Sequence, residues 1–184
     1  MLFRDKRDWY SGDSSFKYID RLIRSRSDKL LICTPYIDRY YLKLLKRESY
    51  KKRVMLISSK ASEQKISEAL RDRRRLYLIL FIIPYSILSL YLYTTIRLFS
   101  YYVFIPILFA VIAAALSRNN RIRVKIIKKS FVHEKIYIND DTAIVGSANL
   151  TFVGTHKNIE HIRIISDRAK ANEMSDYFNK LWQY

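Results

Sequence analysis

All three histidines of the chain, His133, His156 and His161, fall within residues 131–165, alongside Lys135, Ser147, Asn149, Asn158 and Glu160. Val132, Ile136 and Ile138 mark 131–138 as a strand, and a period of two puts His133, Lys135 and Tyr137 on one face. An imidazole and an ammonium therefore project side by side. Asn139-Asp140-Asp141 predicts a turn, 142–145 a second short strand, and Gly146 a bend beyond it. Ser147 and Asn149 then share parity, and Asn158 and Glu160 lead into a third strand-like run, 161–165. These residue types suit work on a phosphodiester. Its negative charge repels nucleophiles, so a site needs cations and neutral donors around the nonbridging oxygens, a nucleophile, and a proton donor for the leaving oxygen. Lys135 and Asn149 fit the first task, and neutral imidazole fits the others. A carboxylate bonded to the nucleophilic imidazole would set its tautomer, and Glu160 is the candidate.

The order His133-x-Lys135, four residues, Asp140, then Gly146-Ser147-x-Asn149 resembles the His-Lys-Asp signature of the phospholipase D superfamily, with Asn158-x-Glu160 as its downstream acidic element. Five residues separate Asp140 from Gly146 where the usual signature has six, so Asp140, like Asn158, is a motif position without an assigned role. The resemblance implies an α/β sandwich, a covalent phosphohistidine on His133, phosphate binding by Lys135, Ser147 and Asn149, no metal and no cofactor. It also implies two such motifs per site, whereas this chain holds one. His156 and His161 lack a lysine two positions on and are read as surface or phosphate-side residues. The second imidazole is therefore expected from another copy, in a two-fold homodimer whose His133 residues meet.

The elements that must carry this motif follow from periodicity. Ser14 or Ser15 can cap a helix with Phe16, Ile19, Leu22 and Ile23 on one stripe. A buried strand at 29–33, a helix at about 40–46, a strand at 53–58 and a helix at 61–74 come next. Strands resume at 121–128, and a final helix begins near Asp167, with Ala171, Met174, Phe178 and Leu181 facing inward. This order predicts an α/β sandwich with a mixed sheet. The lone Cys33 sits in an apolar run and reads as a small buried hydrophobe. Residues 1–10 lack an apolar segment, so no secretory leader is expected.

Residues 76–117 break the pattern, being almost wholly apolar apart from Arg97. Two halves, 76–93 and 99–116, are each about twenty residues, enough for a helix to cross a hydrocarbon core of about 30 Å. The sequence thus predicts a transmembrane helical hairpin inserted into one domain, giving 1–75 and 118–184 as its two parts, with 118–184 carrying the motif. Arg71, Arg73, Arg74 and Arg75 before the hairpin and Arg118, Arg121, Arg123 and Lys125 after it place both termini and the catalytic domain in the cytoplasm.

The net charge of +17 fits a nucleic acid or an anionic lipid surface as partner. Three functions follow: a metal-independent endonuclease on DNA or RNA, a phospholipase D or phosphatidyltransferase acting on phospholipids, and an inactive membrane adaptor. The single compact motif favours the nuclease. Every key polar position of the motif is filled, which disfavours the adaptor.

Overall fold

The computed structural model describes residues 8–70, 91 and 122–184. In chain order the elements are β1 (Trp9–Gly12), α1 (Phe16–Arg24), β2 (Lys29–Cys33), α2 (Arg39–Glu48), β3 (Arg53–Ser59), a 3-10 turn (Lys60–Ser62) and α3 (Glu63–Leu70). Beyond the segment outside the described residues come β4 (Ile122–Ile127), β5 (Ile136–Ile138), β6 (Ala143–Gly146), α4 (Phe152–His156), β7 (Glu160–Ile165) and α5 (Arg168–Gln183). The seven strands form one sheet in the order β1-β7-β6-β5-β2-β3-β4. β2, β3 and β4 run parallel, while the β2–β5, β5–β6, β6–β7 and β7–β1 pairs are antiparallel. The sheet is therefore mixed, as the alternation of strands and helices predicts.

Strand residues point alternately to two apolar layers. On one face Leu30, Ile32, Val54, Leu56, Tyr137, Ile144 and Ile162 pack against Ile19, Leu22 and Ile23 of α1, Tyr41, Leu42 and Leu45 of α2, and Ile66 of α3. On the other, Leu31, Cys33, Ile57, Ile136, Ile138 and Ala143 pack against Ala171 and Phe178 of α5. β2 and β3 are covered on both sides, which is why their sequences read as continuous apolar runs. Asp167 caps α5, accepting from the backbone N–H of Ala169 and Lys170. Ser15 stands at the N-cap of α1 without capping it. Its hydroxyl instead donates to the carbonyl of Thr155 at 3.1 Å, tying α1 to α4.

Two expectations need correction. The strand predicted from 131 begins only at Ile136: residues 131–135, including His133 and Lys135, approach the sheet as irregular chain. Among the described residues no strand pairs with them: β6 ends at Gly146, whose N–H donates to the Lys135 carbonyl at 3.2 Å. The expectation of an integral membrane protein with cytoplasmic termini is also corrected. Among the described residues no helix is long and apolar enough to cross a membrane. The longest of them, α5, has 16 residues, about 24 Å at ~1.5 Å per residue, and is lined with charges on its outer side. The hairpin predicted at 76–117 lies outside the described residues, apart from Tyr91.

Residues 1–70 and 120–184 make up one unit, and residues 71–119 another. Within the first, antiparallel pairing brings the end of β2, the start of β5, the end of β6 and the start of β7 to the same edge of the sheet. The motif sits along that edge.

Candidate active site

His133 and Lys135 enter this edge together. The Lys135 ammonium lies 3.2 Å from His133 Nε2 and donates to the His133 carbonyl at 2.7 Å. An ammonium has no lone pair, so in this contact Nε2 is the acceptor and Nδ1 carries the imidazole proton. His133 is exposed, whereas Lys135 is only 6 % exposed. Burial pushes the lysine pKa below its ordinary value, against the opposing pull of Glu160 and Glu134. A cation that is poorly solvated and held against an imidazole lone pair is prepared to receive an anion.

The far wall comes from the end of β6 and the turn that follows it. His133, Glu134, Lys135, Val145, Gly146, Ser147 and Asn149 line an open cleft of about 520 Å³. The Asn149 side-chain oxygen is buried without a hydrogen-bond partner, an unmet polar group of the kind functional sites retain. Gly146 is required by packing rather than by its backbone angles, since a Cβ there would lie 2.1 Å from the His161 carbonyl oxygen. The Ser147 N–H donates to that same carbonyl at 2.9 Å. The Ser147 hydroxyl donates to Glu160 Oε2 and accepts from the His161 N–H at 3.0 Å.

Glu160 is buried at the start of β7. Its second oxygen accepts from Asn158 Nδ2 at 3.3 Å. The structure thus brings Ser147, Asn158 and Glu160 into one hydrogen-bonded group beside Lys135. Among the described residues the hydrogen bonds of Glu160 run to Ser147 and Asn158, and none joins it to His133. Asp140 lies at the opposite edge of the sheet, where it accepts from the Asp28 N–H at 2.7 Å just ahead of β2. The shortened turn is closed by Asn139, whose side-chain oxygen accepts from the N–H of Asp141 and Thr142.

The other two histidines diverge. His156 is sandwiched between Phe16 and Phe152, with ring centroids 4.1 and 4.3 Å away, and its Nδ1 contacts the Thr155 hydroxyl at 2.8 Å. That is a packing role between α1 and α4. His161 is exposed on β7 and serves the cleft through its backbone. Among the described residues no group of three or more His, Cys, Asp or Glu is arranged to hold a metal ion.

Residues 19–182 match the family model described as "Cardiolipin synthase, PLD-like domain". The chain belongs to the phospholipase D-like family. No curated protein matches it in sequence. Solved structures similar to it include Nuc of Salmonella typhimurium, a phospholipase D family member, at 14 % identity and a TM-score of 0.59 over 95 % of this chain and 93 % of that one. NucT from Helicobacter pylori is 13 % identical with a TM-score of 0.56, covering 92 % and 87 % of the two chains. TrmBL2, an archaeal chromatin protein, has a TM-score of 0.55 at 10 % identity, covering 99 % of this chain and 55 % of its own. At these identities the likeness is one of fold.

The phospholipase D-like site also rests on residues that motif spacing does not single out. The Tyr137 hydroxyl, buried beneath the cleft, donates to the Ala148 carbonyl at 2.6 Å, and burial raises its pKa well above the ordinary tyrosine value. It fixes the turn that carries Ser147 and Asn149. Its place on the His133 and Lys135 face was the signal available in the sequence. Thr34 and Asp38 hold the next stretch: Thr34 Oγ1 accepts from the Leu150 N–H at 3.3 Å, and Asp38 accepts from the N–H of both Tyr41 and Phe152. No local pattern announces their ties to Leu150 and Phe152, which lie more than a hundred residues away.

Proposed function

We propose that the chain is a metal-independent phosphodiesterase of phospholipase D type acting on nucleic acid, with His133 as nucleophile. The observation that supports this most is the 3.2 Å approach of the Lys135 ammonium to His133 Nε2 at the mouth of an anion-suited cleft. A phosphate oxygen entering the cleft accepts the hydrogen bond that the Lys135 ammonium gave to Nε2, and the freed Nε2 lone pair attacks phosphorus in line. The P–O bond to the leaving alcohol breaks as the N–P bond forms. Lys135, Ser147 and Asn149 surround the nonbridging oxygens, where charge builds in the transition state.

The leaving alkoxide needs a proton that no second imidazole of this cleft supplies, since His156 is packed between phenyl rings. In a homodimer the partner's His133 donates it, then deprotonates the water that attacks the phosphohistidine. That attack forms the P–O bond of the product monoester and releases His133 unchanged. The net charge of +17 favours the polyanionic backbone of DNA or RNA.

Purified protein and its His133→Ala form, incubated in chelator with single-stranded DNA, RNA and duplex DNA, test the reading. Cleavage that requires His133, with an acid-labile phosphoenzyme after rapid quench, is expected. Undiminished cleavage by His133→Ala would sink it. The family description, which names a synthase of a phospholipid, favours a second reading, phosphatidyl transfer or head-group hydrolysis by the same histidine. Turnover of phosphatidyl lipids with no cleavage of nucleic acid would select it.

A further inference from the structure

Two exposed aromatic rings, Phe131 and Tyr36, stand near the cleft, Phe131 next to His133 and Tyr36 next to Phe131. Phe131 lies 5.9 Å from the His133 ring, and Tyr36 lies 6.0 Å beyond Phe131, centroid to centroid. They are 56 % and 44 % exposed. The backbone under Tyr36 is pinned from beneath by buried hydroxyls. The Pro35 carbonyl accepts from Ser58, Ser59 and Ser62 at 3.3, 2.7 and 3.1 Å, Thr34 Oγ1 donates to the Tyr36 carbonyl at 3.0 Å, and Ser62 Oγ accepts from the Ile37 N–H at 3.2 Å. These bonds fix the backbone of Tyr36, whose ring is exposed next to Phe131.

The ligand that fits has a flat neutral face joined by a short spacer to a phosphate. Exposed Lys129, two positions before Phe131, adds positive charge to the same segment. We propose that Tyr36 and Phe131 form the stacking platform for the base flanking the scissile phosphate, which makes single-stranded nucleic acid the substrate. In a duplex both faces of each base are already covered by neighbours, whereas an unpaired base offers a face that any aromatic ring can take. The proposal rests on the nuclease reading and specifies its substrate.

The test uses the full chain. Wild type should cleave single strands in preference to duplex, and Phe131→Leu or Tyr36→Leu should raise KM for single strands about 5- to 100-fold with kcat changed only a few-fold. An oligonucleotide carrying 2-aminopurine, bound to the His133→Ala protein, should lose emission through stacking, and Phe131→Leu in that background should restore it. Equal cleavage of single and double strands, or quenching that survives both leucine substitutions, would overturn the platform and leave the nuclease intact. A dimer that falls apart on sedimentation of Phe131→Leu would overturn it in favour of a face for a second copy. Absence of any nucleic-acid cleavage by wild type would remove the nuclease reading and the platform with it.

Discussion

Lys135 carries a charge that its surroundings disfavour. Burial lowers its pKa from the ordinary lysine value of 10.5, so the folded state binds fewer protons than the unfolded chain in the alkaline range below that value, and stability there rises with pH. Below the folded pKa the whole penalty is present. Lys135→Met should therefore lose activity by about 100-fold or more while keeping or gaining stability. The stability difference between the two proteins should shrink as pH climbs toward 10.5. Chemical denaturation across pH 7–10 alongside a cleavage assay reads both effects, and a variant that is inactive because it is unfolded would refute the argument. Gly146 shows the opposite case, in which space rather than charge decides. The His161 carbonyl stands where a Cβ would go, and the Ile162 Cα would lie only 2.8 Å from it. Both are backbone atoms of the paired strand, so Gly146→Ala must push β6 and β7 apart. A loss of about 1–3 kcal/mol is expected in thermal melts, together with lost cleavage as Ser147 shifts.

At the scale of elements, the site depends on ties that local sequence does not reveal. β2, β3, β4, β6, β7 and α5 were legible because apolar periodicity is a local property, and each forms close to where its pattern lies. β1 was not, because four residues reading WYSG carry no period, and its pairing with β7 is a tertiary choice. α4 was hidden by Gly154 in a five-residue helix. The motif strand was overextended, since alternation continues past the point where a partner strand exists. Histidine, lysine, serine and asparagine were recognisable by type, whereas the bonds that Glu160 makes to Ser147 and Asn158 are set by packing. Tyr137 belongs to this scale, linking β5 to the turn after β6. In Tyr137→Phe the Ala148 carbonyl is left buried without its donor, at a cost of about 1–3 kcal/mol. Because the turn bearing Ser147 and Asn149 then loosens, kcat should fall while the overall fold survives. Circular dichroism unchanged from wild type, combined with reduced kcat, is the expected pair of results; full activity would show that the turn holds itself.

For the whole molecule, the decisive feature is that one chain supplies one motif. The described residues place His133, Lys135 and polar donors at one sheet edge, with His156 committed to an aromatic sandwich and His161 exposed on β7. The proposed reaction needs an acid as well as a nucleophile, which a two-fold partner would supply, and the consequence is arithmetic. If two copies of His133 share one site, mixing wild type with His133→Ala under subunit exchange leaves activity proportional to the square of the wild-type fraction. An equal mixture then retains about a quarter of the starting activity, whereas independent sites would retain about half. The mixed species must first be shown to exchange, by tagging one chain and recovering the other. A linear dependence on composition would mean that each chain turns over alone, and the proton would then have to come from water or from a residue of the same cleft.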